Sequence, residues 1–220
     1  MLYENKVSAD FAAKVQDISN QLGVNPDWLM YVMHNESAGT FNPAVKNPGS
    51  TATGLIQFLS GTADTLGTST TALAQMTATD QLDYVQKYFQ GVINHYGPIN
   101  SVSDTYLAVF YPAAIAWTDP AKRFSTTVYS QNKIFDYDKL GYLTKQDFQD
   151  YVNYHYSLLG GDTGSADSGQ IITDDSGDSS DIPPVETGRY TNTQIVVFAG
   201  GAAIVTLLII LIFLFNKNKK

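Results

Sequence analysis

Three observations predict a mainly α-helical domain followed by one C-terminal transmembrane helix. Apolar residues recur at three- and four-residue spacing in several segments that carry capping residues at their ends. The long interruption between them, residues 38–53, consists largely of Gly, Asn, Pro, Ser and Thr and reads as a loop or short hairpin. Residues 195–215 form an uncharged apolar run of 21 residues, long enough as a helix to cross a hydrocarbon core of about 30 Å.

The chain has 220 residues and no cysteine, which gives room for one compact domain with appendages and no disulfide framework to support it. Its net charge is −8. That balance argues against a nucleic-acid partner, which needs Lys and Arg facing phosphates, and no basic patch with interleaved aromatics is present. The opening MLYENKVSADF lacks the positive start and apolar core of a secretory signal peptide, so nothing there marks export by the usual route.

Taken in order, the first helix is capped by Ser8 or Asp10 and places Phe11, Val15, Ile18 and Leu22 on one face up to Gly23, a natural stop. It is expected to pack on the helix that follows. That second helix starts with Asn25 as cap and Pro26 in the first turn, and Trp28, Leu29, Val32 and Met33 give it an apolar face. Glu36 continues the same face, three residues after Met33, four after Val32 and seven after Leu29. Burial and the negative helix end would both favour its neutral form, and a carboxyl held protonated near neutral pH is a usable general acid. From this helix alone a second environment stays open, a terminal Glu that reaches water or pairs with a Lys.

Residues 60–66 and 79–96 read as helices, the latter with Leu82, Val85, Phe89, Val92, Ile93 and Tyr96 on one side. Residues 102–111 form an apolar helix stopped by Pro112. His34, His95 and His155 have no second His or acid at a metal-ligand spacing, so surface or dipole-capping roles are expected for them.

The run Glu36-Ser37, Phe41-Asn42-Pro43, Gly54-Leu55-Ile56-Gln57-Phe58 and Thr62-Ala63 resembles the soluble lytic transglycosylase family of the lysozyme superfamily. Several motifs in order over about forty residues are far more specific than any one alone. The resemblance implies a lysozyme-like helical domain with the 38–53 loop beside the cleft, Glu36 as catalytic residue, and Ser37 and Gln57 among the substrate-binding residues. It adds Tyr111, which by position matches the Tyr of the family's Ala-Tyr-Asn-Ala-Gly run, while Pro112 replaces the Asn. The 38–53 loop holds no Asp or Glu, whereas an inverting glycosidase needs a second carboxylate for water and a retaining one a carboxylate nucleophile. The lack favours a transglycosylase in which one Glu acts first as acid and then as base, unless Asp64 or Asp104 supplies the second group.

Residues 132–148 resemble half of an EF-hand. Asp136, Asp138, Gly141, Leu143 and Asp147 fall at loop positions one, three, six, eight and twelve, so calcium is a candidate ligand of Asp136, Asp138 and Asp147. Leu140 breaks the pattern at position five, and a structural loop leading into a helix over 145–158 is the other reading. Residues 160–192 hold seven acids against Arg189 alone and read as a disordered acidic linker. The predicted division is therefore a domain over 1–159, the linker 160–192, a transmembrane helix over 193–215 and a basic tail over 216–220. By the positive-inside rule the tail stays in the cytoplasm or inside a virion membrane, and the domain lies on the outer face.

The expected function is cleavage of the MurNAc–GlcNAc bond in peptidoglycan glycan strands by a single catalytic Glu, giving 1,6-anhydro-MurNAc ends. No cofactor is required. The protein would be anchored in a lipid bilayer through residues 195–215, in a bacterial cell envelope or as the wall-opening enzyme of a membrane-containing phage. A lysozyme-type hydrolase at the same site and a non-catalytic, membrane-tethered wall-binding protein are the alternatives.

Overall fold

The computed structural model describes residues 1–136 and 138–164. The predicted linker beyond residue 164, the 193–215 helix and the 216–220 tail lie outside the described residues. Among the described residues no helix is long and apolar enough to cross a membrane.

The described residues form eight α-helices and no sheet: α1 (Ala9–Leu22), α2 (Pro26–Glu36), α3 (Ser60–Thr65), α4 (Thr70–Gln75), α5 (Ala78–Tyr96), α6 (Val102–Phe110), α7 (Thr126–Gln131) and α8 (Lys145–Ser157). Local chemistry sets their ends. Ser8, not Asp10, caps α1 by accepting the Phe11 N–H at 3.2 Å, and Gly23 closes the helix at φ +70°. Asn25 caps α2 through the Asp27 N–H at 2.9 Å, with Pro26 in the first turn. Thr77 and Ser101 cap α5 and α6 in the same way. The short helices α4 and α7 add to the expected elements, and each starts at a Ser cap.

The second helix departs from the expected single apolar face. Trp28, Leu29, Met30, Tyr31, Val32, Met33, Asn35 and Glu36 are all buried, so α2 is the central helix of the domain. It packs on α1 and α6; α1 packs in turn on α5, and α6 on α8. The α1–α5 contact also carries a Lys14–Asp83 ion pair at 2.7 Å on its rim.

Residues 38–59 form a loop held by isolated antiparallel bridges, Lys46 with Thr53 and Thr53 with Phe58, which is the expected small hairpin beside the site. One buried side chain ties this loop to the helices. Gln81 of α5 accepts the Leu55 N–H at 2.7 Å through Oε1, and its Nε2 donates to the carbonyls of Pro43 (3.1 Å) and Leu73 (2.9 Å). Gly54, at φ +86°, runs so close to Gln81 that a Cβ there would collide with the amide.

The EF-hand-like stretch closes on its own donors. Asp136 accepts the Leu140 and Gly141 N–H groups and the Tyr129 hydroxyl, Asp138 accepts the Leu140 N–H, and Leu143 is fully buried. Asp147 turns back as part of a capping box with Thr144, accepting its N–H at 2.7 Å and its hydroxyl at 2.6 Å. No group of three His, Cys, Asp or Glu among the described residues is arranged to hold a metal ion.

The start of the predicted linker is folded onto the domain. Trp28 Nε1–H donates to the Asp162 carbonyl at 2.8 Å, and the Val102 N–H donates to that of Thr163 at 3.0 Å. An indole N–H of α2 and the first N–H of α6 find their acceptors here, so residues 162–163 are bonded to the helical domain. Composition alone could not show this, because the contacts use backbone carbonyls.

Gln81→Leu would leave the Leu55 N–H and the Pro43 and Leu73 carbonyls without partners, at about 1–3 kcal/mol each when buried. The expected loss is about 3 kcal/mol or more in urea unfolding. Gln86→Leu, which removes only a surface bond to Gln21, should change stability by less than about 0.5 kcal/mol.

Candidate active site

Glu36 closes the last turn of α2 and is 2% exposed. Burial pushes its carboxyl up to about 8, against a smaller downward effect from a hydrogen bond with the Tyr106 hydroxyl of α6. Desolvation is thus the cause that matters, where the sequence suggested burial and the helix end together. The carboxyl's Oε2 has no hydrogen-bond partner. The result is a largely neutral acid at pH 7 with an unengaged oxygen, the state a general acid needs.

Phenols surround it. Tyr106 is 5% exposed, and Tyr88 of α5 feels the Glu36 charge while its own hydroxyl donates to the Ala108 carbonyl at 2.7 Å. Burial raises both phenols well above their ordinary range, so they stay neutral hydrogen-bonding groups. Tyr88 also lines a small pocket with Ile56, Gln57, Phe58, Leu59, Thr62 and Val109. The pocket therefore lies between residues 56–59 of the loop and helices α3, α5 and α6.

Gln57 takes up a left-handed backbone at φ +53°, unusual for a side chain of its size. Its Nε2 donates to the Gly54 carbonyl at 3.1 Å and to that of Val45 at 3.4 Å. Its Oε1 is buried and has no hydrogen-bond partner, and Gln57 lines the pocket.

Two other residues have different surroundings from those the sequence suggested. Ser37 is completely buried, and its Oγ accepts the Phe41 N–H at 2.9 Å, so it holds the turn after α2. Tyr111 is half-buried, and its ring packs on Trp117 (5.5 Å) and Phe124 (5.1 Å). The hydroxyl that lowers the Glu36 carboxyl is that of Tyr106, five residues earlier. Pro112 starts a single 3₁₀ turn, Pro112–Ala114, that carries the chain away from the helix.

Neither candidate for a second carboxylate joins the site. Asp64 is exposed on α3, and Asp104 sits in the first turn of α6, accepting the Asn100 N–H at 3.3 Å. His34 stacks on Tyr3 at 3.8 Å and meets Lys6 Nζ at 3.0 Å; burial, then Lys6, lowers it to about 4. It is a neutral packing group.

Tyr88 and Tyr106 are the residues that the sequence did not single out. Fourteen tyrosines offered no means of choosing among them. The available signal was that Tyr106 lies four residues after Val102 and four before Phe110, on the apolar stripe of the 102–111 helix.

Residues 14–109 match the Transglycosylase SLT domain family. No curated protein and no solved structure gives a match. The matched segment begins inside α1 and ends inside α6, so it takes in both helices that meet at the Glu36 carboxyl as well as Gln57 and Tyr88. This part of the chain is therefore a Transglycosylase SLT domain, the catalytic domain of lytic transglycosylases, and makes the protein an enzyme acting on the glycan strands of peptidoglycan.

Proposed function

We propose that the protein cleaves the bond between N-acetylmuramic acid and N-acetylglucosamine by intramolecular transglycosylation, with Glu36 as both acid and base. The observation that carries this reading is a buried, neutral Glu36 with no carboxylate among the groups that act on it. A lone carboxyl can protonate the leaving glycosidic oxygen as the C1–O bond breaks. The carboxylate so formed can then take the proton of the muramic C6 hydroxyl as that oxygen bonds to C1, closing the anhydro ring and restoring the acid. The proton balance closes without water and without a second carboxylate, and hydrolysis at the same site would need a base to activate water.

Gln57 Oε1 is suited to accept a sugar N–H or O–H, and Tyr111 with Trp117 offers an aromatic border beyond it. Ser37 acts by holding the turn that follows Glu36. The steps use no metal; calcium at Asp136, Asp138 and Asp147 would serve the loop as a structural ion, and titrating it against the melting temperature tests that role. The uncharged run 195–215 supports anchoring in a bilayer, with the enzyme on the outer face of a bacterial envelope or a phage membrane.

Mass spectrometry of fragments released from peptidoglycan sacculi by the purified chain should show anhydro-muramic ends. Reducing muramic ends would mean hydrolysis, and binding without release would mean a wall-binding protein. Glu36→Gln should lower turnover by at least about 10³-fold with the fold kept. Because the free enzyme needs Glu36 protonated, kcat/KM should fall about tenfold per pH unit above about 8.

The same burial has a consequence for stability. The native state holds the Glu36 proton up to about 8, whereas the unfolded chain releases it near 4.5, so stability falls as pH rises between those values. The slope approaches about 1.4 kcal/mol per pH unit. Glu36→Gln should therefore melt at a higher temperature than the wild type at pH 8 and gain nothing at pH 4.

A further inference from the structure

We propose that Lys122 and Arg123, beyond the matched segment 14–109, form a binding site for a carboxylate carried by the muramic side chains of the glycan strand. The inference rests on peptidoglycan as the substrate, and not on the part played by Glu36. Residues 112–148 hold five Lys and Arg against four Asp, in a chain whose net charge is −8. The stretch thus departs from the acidic balance of the chain, which would otherwise repel an anion. Its acids are engaged in their own loops. Asp119 Oδ1 accepts the Ala121 N–H at 2.9 Å, Asp136 and Asp138 accept N–H groups of Leu140 and Gly141, and Asp147 belongs to the capping box with Thr144. Lys145 is engaged too, its Nζ donating to the Ile115 carbonyl at 3.0 Å. Lys122 and Arg123 differ: both are exposed, and among the described residues neither forms an ion pair.

Each of the two cations lies on an aromatic ring. Lys122 Nζ stands 4.5 Å from the centre of the Trp117 ring, and the Arg123 guanidinium carbon stands 3.6 Å from that of Tyr142. Such contacts hold a long side chain in place while leaving its N–H groups to an anion, so less ordering is needed when one binds. The backbone beneath them is fixed as well, because the Phe124 N–H donates to the Leu143 carbonyl at 2.8 Å and Arg123 bridges to Thr144. The pair is also tied to the site. Val109 lines the pocket at the end of α6, Tyr111 follows two residues later, and the Tyr111 ring meets Trp117 at 5.5 Å. From the pocket outward the order is thus Val109, Tyr111, Trp117 and Lys122. A strand held at the pocket and crossing Tyr111 brings its side chains to the two cations. The sugar rings carry no charge; the carboxylates lie on the muramic side chain, on the lactyl group where it is free and on the peptide stem where one is attached. A guanidinium fork beside an ammonium matches a carboxylate.

Replacing Lys122→Gln and Arg123→Gln together removes both charges and keeps side chains of some length; both positions are exposed, so the variant should melt where its parent does. Binding is read by co-sedimentation of the purified full chain carrying Glu36→Gln, so that the strands stay intact. The double replacement should weaken binding to stem-bearing strands about fivefold to tenfold at about 0.05 M salt, and the gap should close by about 0.5 M. On strands whose carboxylates have been converted to amides, the two proteins should bind alike. A loss on stem-bearing strands alone assigns the stem carboxylates, and a loss that persists on amidase-stripped strands assigns the lactyl group. Equal binding of both proteins to stem-bearing strands at low salt overturns the proposal, as does an equal loss on the amidated strands. Lys14→Gln with Lys87→Gln takes the same charge from α1 and α5, and an equal loss there would reduce the effect to bulk charge and overturn the site. The readout needs no turnover. A chain with Glu36 intact that releases no fragment, while the double replacement still weakens binding, upholds the site and overturns the transglycosylase reading instead.

Discussion

Keeping one carboxyl out of water is the constraint on which the domain depends. An isolated Glu at a helix end would be hydrated and ionised at neutral pH. Here α2 is enclosed by α1 and α6, with α5 and α8 behind them, and its terminal turn is sealed by the loop that Ser37 and Gln81 hold. The enclosure gives Glu36 its proton and also weakens the native state as pH rises, the familiar opposition between stability and a prepared active site. The fold offsets that loss elsewhere, through the apolar faces of α1, α5 and α6.

The loop between α2 and α3 shows how polar residues do structural work in a site of this kind. It buries Phe41, Leu55, Ile56 and Phe58, and hydrogen bonds fix the path of its backbone between them. Gln81 satisfies three backbone groups from three separate parts of the chain. Gly54 is required where the loop passes over that amide, and Gln57 follows in a strained left-handed conformation with its acceptor unpaired. At Gln57, strain and an unsatisfied acceptor occur in one residue that lines the pocket, as expected where binding competes with stability.

Much of the architecture was legible in the sequence because it rests on local chemistry. The caps at Ser8, Asn25, Thr77 and Ser101 and the periodic faces of α1, α5 and α6 need no tertiary information. Glu36 was legible as an acid on a face that should be apolar, and the order of motifs through Thr62 and Ala63 identified the catalytic domain. What could not be read were facts of packing. Tyr111 occupies the expected position in the chain, but Tyr106 faces the acid, because the rotation of α6 against α2 is set by how Val102, Leu107 and Phe110 bury. Ser37 sits beside Glu36 in sequence yet points into the turn. The folded stretch 161–164 escaped notice because its composition is that of a linker and its contacts are made by backbone.

That stretch also decides from which side the domain is held. Its hydrogen bonds reach Trp28, in the first turn of α2, and Val102, the first residue of α6. Glu36 lies eight residues further along α2, about 12 Å away at the helical rise. Whatever follows residue 164 is therefore attached at the end of the central helix opposite to the acid. Tension along the chain would load an indole and one helix start, and the catalytic end would be free to meet a polymer approaching from the other direction.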